Sequence, residues 1–132
     1  MPFVRITASG AALASEQVSL LCSEMTELMA CVLGKRPDLT SVLVEQVAAA
    51  GWAIGGSPVK AAVHVDATIT AGTNSPEENA RFIEKTMSLL KSVLASDLHP
   101  ATYVVVTEVP ADSWGYDGRT QESRKEGRLL AV

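Results

Sequence analysis

The chain has 132 residues, 47% of them hydrophobic and 20% charged, enough for one domain with a real core. Its net charge of −4 supplies no basic field, which argues against a nucleic-acid partner. No charged n-region leads into an apolar run at the N-terminus, and no apolar stretch approaches 18 residues. Neither an exported nor a membrane-associated protein is therefore expected.

Met1-Pro2-Phe3-Val4-Arg5-Ile6 reads as a first strand, with weak alternation from Phe3 to Thr7. A helix follows, because Val18, Leu21, Cys22, Met25, Leu28, Met29, Val32 and Leu33 form one apolar stripe at i, i+3, i+4 spacing. Gly34 closes that helix and Pro37 forbids its continuation. Cys22 and Cys31 lie nine positions apart on it, and nine steps of about 100° put them on opposite faces. They cannot pair with each other. Cys22 reads as core filler on the stripe, and reduced thiols fit a cytoplasmic location.

Ser57-Pro58-Val59-Lys60 is a joint too short to act as a flexible linker. Beyond it, Ala62 to Thr70 alternates more clearly, and Ala80, Ile83, Met87, Leu90, Val93 and Leu94 mark a second helix. Ser75 is its expected N-cap, with Pro76 at the first helical position and Glu77 and Glu78 facing the positive helix end. From Arg119 the chain is highly charged until Leu129-Leu130-Ala131-Val132. This tail is either a frayed end or an arm whose apolar tip docks on a neighbouring subunit.

The stretch from Val42 to Gly56 overlays that from Val104 to Gly118 at a constant offset of 62 residues. Both tryptophans, Trp52 and Trp114, and the closing glycines coincide, so the chain holds an internal duplication. Strand, helix, strand, written twice, predicts an α+β two-layer fold. Right-handed β-α-β units would form a four-stranded mixed sheet with two helices on one face. One domain spans 1–132, with unit one at 2–58, unit two at 59–118 and a tail at 119–132. The chain's own helices leave the other sheet face bare, and a homo-oligomer is expected to bury it.

Pro2 is the leading chemical candidate. Removal of Met1 would free its secondary amine, which can take up and release a proton. A free α-amine has a reference pKa of about 7.7–8.0, and apolar enclosure or a nearby cation lowers it. Such a base can remove an acidic proton beside a carbonyl and return it elsewhere on a conjugated system. The alternative is a strand-initiating proline acylated by a retained Met1. His64 and His99 are well separated and no Cys/His cluster exists, so no metal or cofactor is expected.

An N-terminal proline on the first strand of a duplicated β-α-β unit resembles the tautomerase superfamily, which includes 4-oxalocrotonate tautomerase and macrophage migration inhibitory factor. Asp38 to Val42 followed by Gly51-Trp52-Ala53-Ile54-Gly55-Gly56 is similar to the end of one 4-oxalocrotonate tautomerase unit. Ala67 to Thr73 resembles that enzyme's strand-to-helix corner, and also that of the cis-3-chloroacrylic acid dehalogenases. Gly34-Lys35-Arg36-Pro37 resembles the loop after the first helix of the inhibitory factor. The two-unit length suggests the fused group.

The resemblance implies a trimer and cofactor-free keto–enol chemistry on a small-molecule substrate, with Pro2 as general base. It gives Lys35 as a carboxylate-holding cation, against the simpler reading of a solvated helix-end lysine, and Arg36 as a weaker version of the same. Tyr103 matches a pocket tyrosine, against a strand-end aromatic in a subunit interface. Trp114 is preferred over Trp52 as a pocket wall because it travels with Tyr116 and Arg119, and Arg119 is a further anion anchor. The departures also count. Leu43, Val105 and Thr73 stand where 4-oxalocrotonate tautomerase arginines are expected, and Thr70 and Thr73 where the dehalogenases pair arginines. Val63 stands at a second unit's proline position, so one site per chain is expected. The missing cations disfavour diacid substrates, and favour an enolisable 2-oxo or 2-hydroxy-dienoic mono-acid. The competing readings are a hydratase, dehalogenase or decarboxylase of the same superfamily, and a non-catalytic oligomeric binding protein that keeps Met1.

Overall fold

The computed structural model describes residues 2–48 and 51–130, the side chains of 128–130 excepted. The expectations for Met1 and for the apolar tip from Leu129 to Val132 fall outside what is described. In chain order, β1 (Phe3–Ser9) leads to α1 (Ser15–Cys31), a 3-10 turn at Pro37–Leu39, and β2 (Ser41–Val47). A hairpin of β3 (Ala53–Ile54) and β4 (Ser57–Pro58) follows. The second half repeats this with β5 (Ala62–Thr70), α2 (Pro76–Val93), β6 (Val104–Val109), and a hairpin of β7 (Gly115–Tyr116) and β8 (Arg119–Thr120). Helix α3 (Gln121–Leu130) ends the described chain.

The main sheet runs β2-β1-β5-β6, with parallel outer pairs and an antiparallel centre. This is the four-stranded mixed sheet of duplicated β-α-β units that the sequence predicts. The two hairpins stand at the same 62-residue offset. Each turns on two positive-φ residues, Gly55-Gly56 and Asp117-Gly118, the conformation that matches the twist of a tight hairpin. Val4 pairs with Val42 and Val65 with Val104, which makes Val63 the counterpart of Pro2.

Alternation fixes which face is buried. Val4, Ile6, Val65, Ala67 and Ile69 are fully buried beneath Leu21, Met25 and Met29 of α1 and Phe82 and Leu90 of α2. The α2 face differs from the expected stripe. Ala80 and Ile83 are exposed, while Phe82 and Thr86 are buried. Both stripes pass through Leu90, and packing of the bulkier Phe82 selects the face. Cys22 is half-buried rather than core, and Cys31 is exposed. Ser75 caps α2 as expected: its Oγ accepts from Glu78 N at 3.1 Å while Glu78 Oε1 accepts from Ser75 N at 2.8 Å.

The opposite sheet face meets no helix of the main two-layer core. It exposes Phe3, Leu43, Val47 and Val105 around a polar centre, where Thr7 Oγ1 donates to Glu45 at 2.8 Å and Thr107 Oγ1 donates to Asp66 at 2.9 Å. No helix among the described residues is long and apolar enough to cross a membrane. Thr86 Oγ1 is buried with no hydrogen-bond partner among the described residues. Thr86→Val is therefore expected to stabilise the fold by about 1 kcal/mol by removing a desolvated hydroxyl, while Phe82→Ala costs about 3–5 kcal/mol. Denaturant titration of the two variants against the parent checks both signs.

Candidate functional site

The site begins with the way α1 ends. Gly34 adopts φ +69°, and the chain folds back so that Lys35 N donates to Met29 O at 2.9 Å. That turn sends the Lys35 side chain to the corner between β5 and α2, where Nζ donates to Thr73 Oγ1 at 2.8 Å. Thr73 Oγ1 in turn donates to Thr70 O at 2.6 Å. Asn74 Nδ2 donates to Leu33 O at 2.9 Å and holds the corner against the end of α1. Trp114 Nε1 donates to Thr70 Oγ1 at 3.2 Å, which ties the following segment to the same corner.

The tail supplies the remaining wall. Thr120 Oγ1 accepts from Ser123 N at 3.0 Å and starts α3. Gln121 N donates to Trp114 O at 3.0 Å and Glu122 N to Ala111 O at 2.9 Å. Arg124 Nη2 donates to Tyr116 O at 3.0 Å, and its guanidinium stacks on the Tyr116 ring at 3.8 Å. From Gln121 the tail is a helix bonded to its own chain and not a frayed end, while the apolar tip expected to dock on a neighbour lies outside the described residues. Between these parts lies a cavity of about 200 Å³. The loop after α1 gives it Lys35, Arg36 and Leu39, the end of β5 and the corner give Thr70 and Thr73, and the tail gives Tyr116, Gln121 and Lys125. Its size is below that of pockets for drug-sized ligands and suits a small organic molecule.

Lys35 and Arg36 thus line one cavity. Arg36 is nevertheless engaged: Nε and Nη2 donate to Asp38 at 3.1 and 2.6 Å, and this bonding raises the guanidinium pKa further. Trp114 braces Thr70 from behind the lining. Arg119 Nη2 donates to Ser123 Oγ at 3.2 Å, also outside the lining. Tyr103 precedes β6, 67% exposed, beside Val65 near the other end of β5 from Thr70. Pro2 is fully buried, and its carbonyl accepts from Ser41 N at 3.2 Å. One step beyond the Phe3↔Thr68 pair, the register sets it beside Ile69 and next to Thr70. Among the described residues no three His, Cys, Asp or Glu side chains converge as metal ligands.

The duplicate half has its own cavity, of about 230 Å³. Ser9 and Ala12 stand there in the places of Thr70 and Thr73, with Val63 in that of Pro2, and no charged residue lines it. The two halves share a frame, but only one carries cations.

A family model for tautomerase enzymes matches residues 2–62. A curated protein of Dickeya dadantii (strain 3937), "Probable tautomerase K2", is 37% identical over 59 residues, covering 45% of this chain and 88% of that protein. The chain belongs to the tautomerase family. The duplicated architecture has matching solved structures. Pt0534, inactivated by 2-oxo-3-pentynoate, aligns with a TM-score of 0.83 at 13% identity over 92% of this chain and 98% of that one. A fused 4-OT solved as an asymmetric trimer gives 0.81 at 18%, over 92% and 98%. A macrophage migration inhibitory factor-like protein from Entamoeba histolytica gives 0.75 at 22%, over 90% and 97%.

Within this tautomerase fold, Gln121 and Lys125 are the lining residues that sequence reasoning missed. The available signal was Thr120 as a capping residue three positions before Ser123. Burial of Lys35 holds its pKa below the ordinary 10.5, with Glu78 and Glu108 pulling the other way. The unfolded chain then keeps the proton that the folded chain loses, so stability rises with pH from the folded midpoint up to 10.5. A ¹³Cε titration is expected to find the Lys35 midpoint below 10.5, and Lys35→Met to abolish that rise in stability. A midpoint at or above 10.5 contradicts the burial.

Proposed function

We propose that this tautomerase uses the Pro2 nitrogen, freed by removal of Met1, as its general base. The substrate is a small enolisable 2-oxo or 2-hydroxy-dienoic acid. The supporting observation is the burial of Pro2 near the pocket corner: it lies one register step past Phe3↔Thr68, beside Ile69, whose neighbour Thr70 lines the cavity together with Lys35. An uncharged amine takes the proton from the carbon beside the carbonyl, and the electron pair moves onto oxygen as the enol forms. The proton returns at another position of the conjugated system. Apolar surroundings and the Lys35 cation both disfavour protonated Pro2, so the base is free near neutrality. Lys35 pairs with the substrate carboxylate and stabilises the negative charge that develops on oxygen.

The assembly proposed is a trimer, the form in which fused 4-OT proteins have been solved, both asymmetric and symmetric. The bare sheet face with Phe3, Leu43 and Val105 is the surface it would cover. Tyr103, at the far end of β5 in its own chain, would reach a pocket only from a neighbouring copy. That Pt0534 is inactivated by 2-oxo-3-pentynoate, a small 2-oxo monocarboxylate, favours the same substrate class here. Two unpaired thiols fit a cytoplasmic setting.

Pro2→Ala is expected to lower kcat/KM for ketonisation of phenylenolpyruvate at least about tenfold, on the order of 1.4 kcal/mol in the barrier. Intact mass of the protein from its native host should show loss of Met1. A variant as fast as the parent, or complete retention of Met1, removes Pro2 from the reaction. Native mass spectrometry should find trimers for the parent and monomers for Val105→Asp, which puts a charge on the bare face.

A further inference from the structure

We infer that α3 is a carboxylate clamp, in which Gln121 and Lys125 hold the acid group of the substrate in the cavity that Lys35 also lines. The inference rests on the Pro2 reading for what happens next to the bound acid, but not for the binding itself.

Gln121 and Lys125 are four residues apart on one helix, so their side chains share a face, and both line the cavity. Gln121 Nε2 is buried and has no acceptor among the described residues. A buried amide donor without a partner is unfavourable in an empty site and becomes satisfied when a ligand brings an oxygen to it. Lys125 makes no hydrogen bond or ion pair among the described residues. Arg36, by contrast, gives its charge to Asp38. No acidic side chain lines the cavity. Lys35 from the loop after α1 and Lys125 from α3 leave an anion as the complementary ligand, with the Gln121 amide donating to one of its oxygens.

The helix is preset for this task. Backbone bonds to Trp114 O and Ala111 O fix its first turn, and Arg124 pins it to Tyr116, so little ordering is left for binding to supply. Of the other lining residues, Leu39 is apolar, Arg36 is paired with Asp38 and Thr73 is bonded to Lys35 and Thr70, so no uncommitted cation is left for a second acid. The ligand class is a 2-oxo monocarboxylate, and a dicarboxylate should bind no better.

The test uses the full-length protein, with 2-oxobutyrate and its uncharged amide as probes in NMR titrations. The parent should prefer the acid. Lys125→Met is expected to raise the dissociation constant for the acid about tenfold and to reduce the preference over the amide by a similar factor, Lys35 keeping the rest. Lys125→Arg should retain that preference. Gln121→Leu should weaken the acid at least about threefold without lowering the thermal midpoint, since its buried Nε2 has no acceptor among the described residues. Acid binding and preference that match the parent in both Lys125→Met and Gln121→Leu would overturn the clamp. Pro2→Ala separates the two claims. If it is as fast as the parent while the α3 variants bind poorly, the clamp stands and the base falls. If it is slow while they bind normally, the base stands and the clamp falls.

Discussion

The antiparallel pairing of β1 with β5 is the interaction on which everything else depends. It joins two β-α-β units whose other pairings in the main sheet are internal and parallel. Because the two strands run in opposite directions, the start of β1 lies beside the end of β5. Position 2 therefore lies near the Thr70–Thr73 corner although more than a whole unit separates them in sequence. The side-chain period of a strand makes this register strict: a slip by one residue would turn Val4, Ile6 and Ala8 out of the core.

Around that seam the chemistry is a matter of contrast between walls. Lys35 is brought to the corner by a glycine turn and kept there by Thr73, at some cost in hydration that its lowered pKa records. The neighbouring Arg36 is as close in sequence, yet its fork is taken by Asp38. Two adjacent cations thus differ in availability for a reason of geometry and not of charge.

Much of the fold was legible in the sequence. Alternation along Ala62–Thr70, the capping residues around Ser75 and the repeated tryptophan-glycine spacing each carry a local physical cause that survives in three dimensions. The face of α2 was less legible. The stripes through Ile83 and through Phe82 share Leu90, and only the neighbouring sheet decides between them. Helix α3 was least legible, because its run of Glu, Arg and Lys looks like solvated chain. What holds it is Arg124 on Tyr116, eight residues away, and such a contact leaves no periodic mark. Lys35 and Arg36 could be singled out from their loop, whereas Gln121 and Lys125 could not be found before α3 was known.

Covalent fusion of the two halves gives this chain a freedom that an assembly of identical short subunits lacks. In a ring of identical units, any extension that roofs one cavity must roof all of them. Here α3 grows from the end of the second half alone and packs beside a single cavity, while its twin behind Val63 stays uncharged. Gene duplication has thereby uncoupled upkeep of the scaffold from diversification of the binding surface, and further change can accumulate on one side without disturbing its mirror.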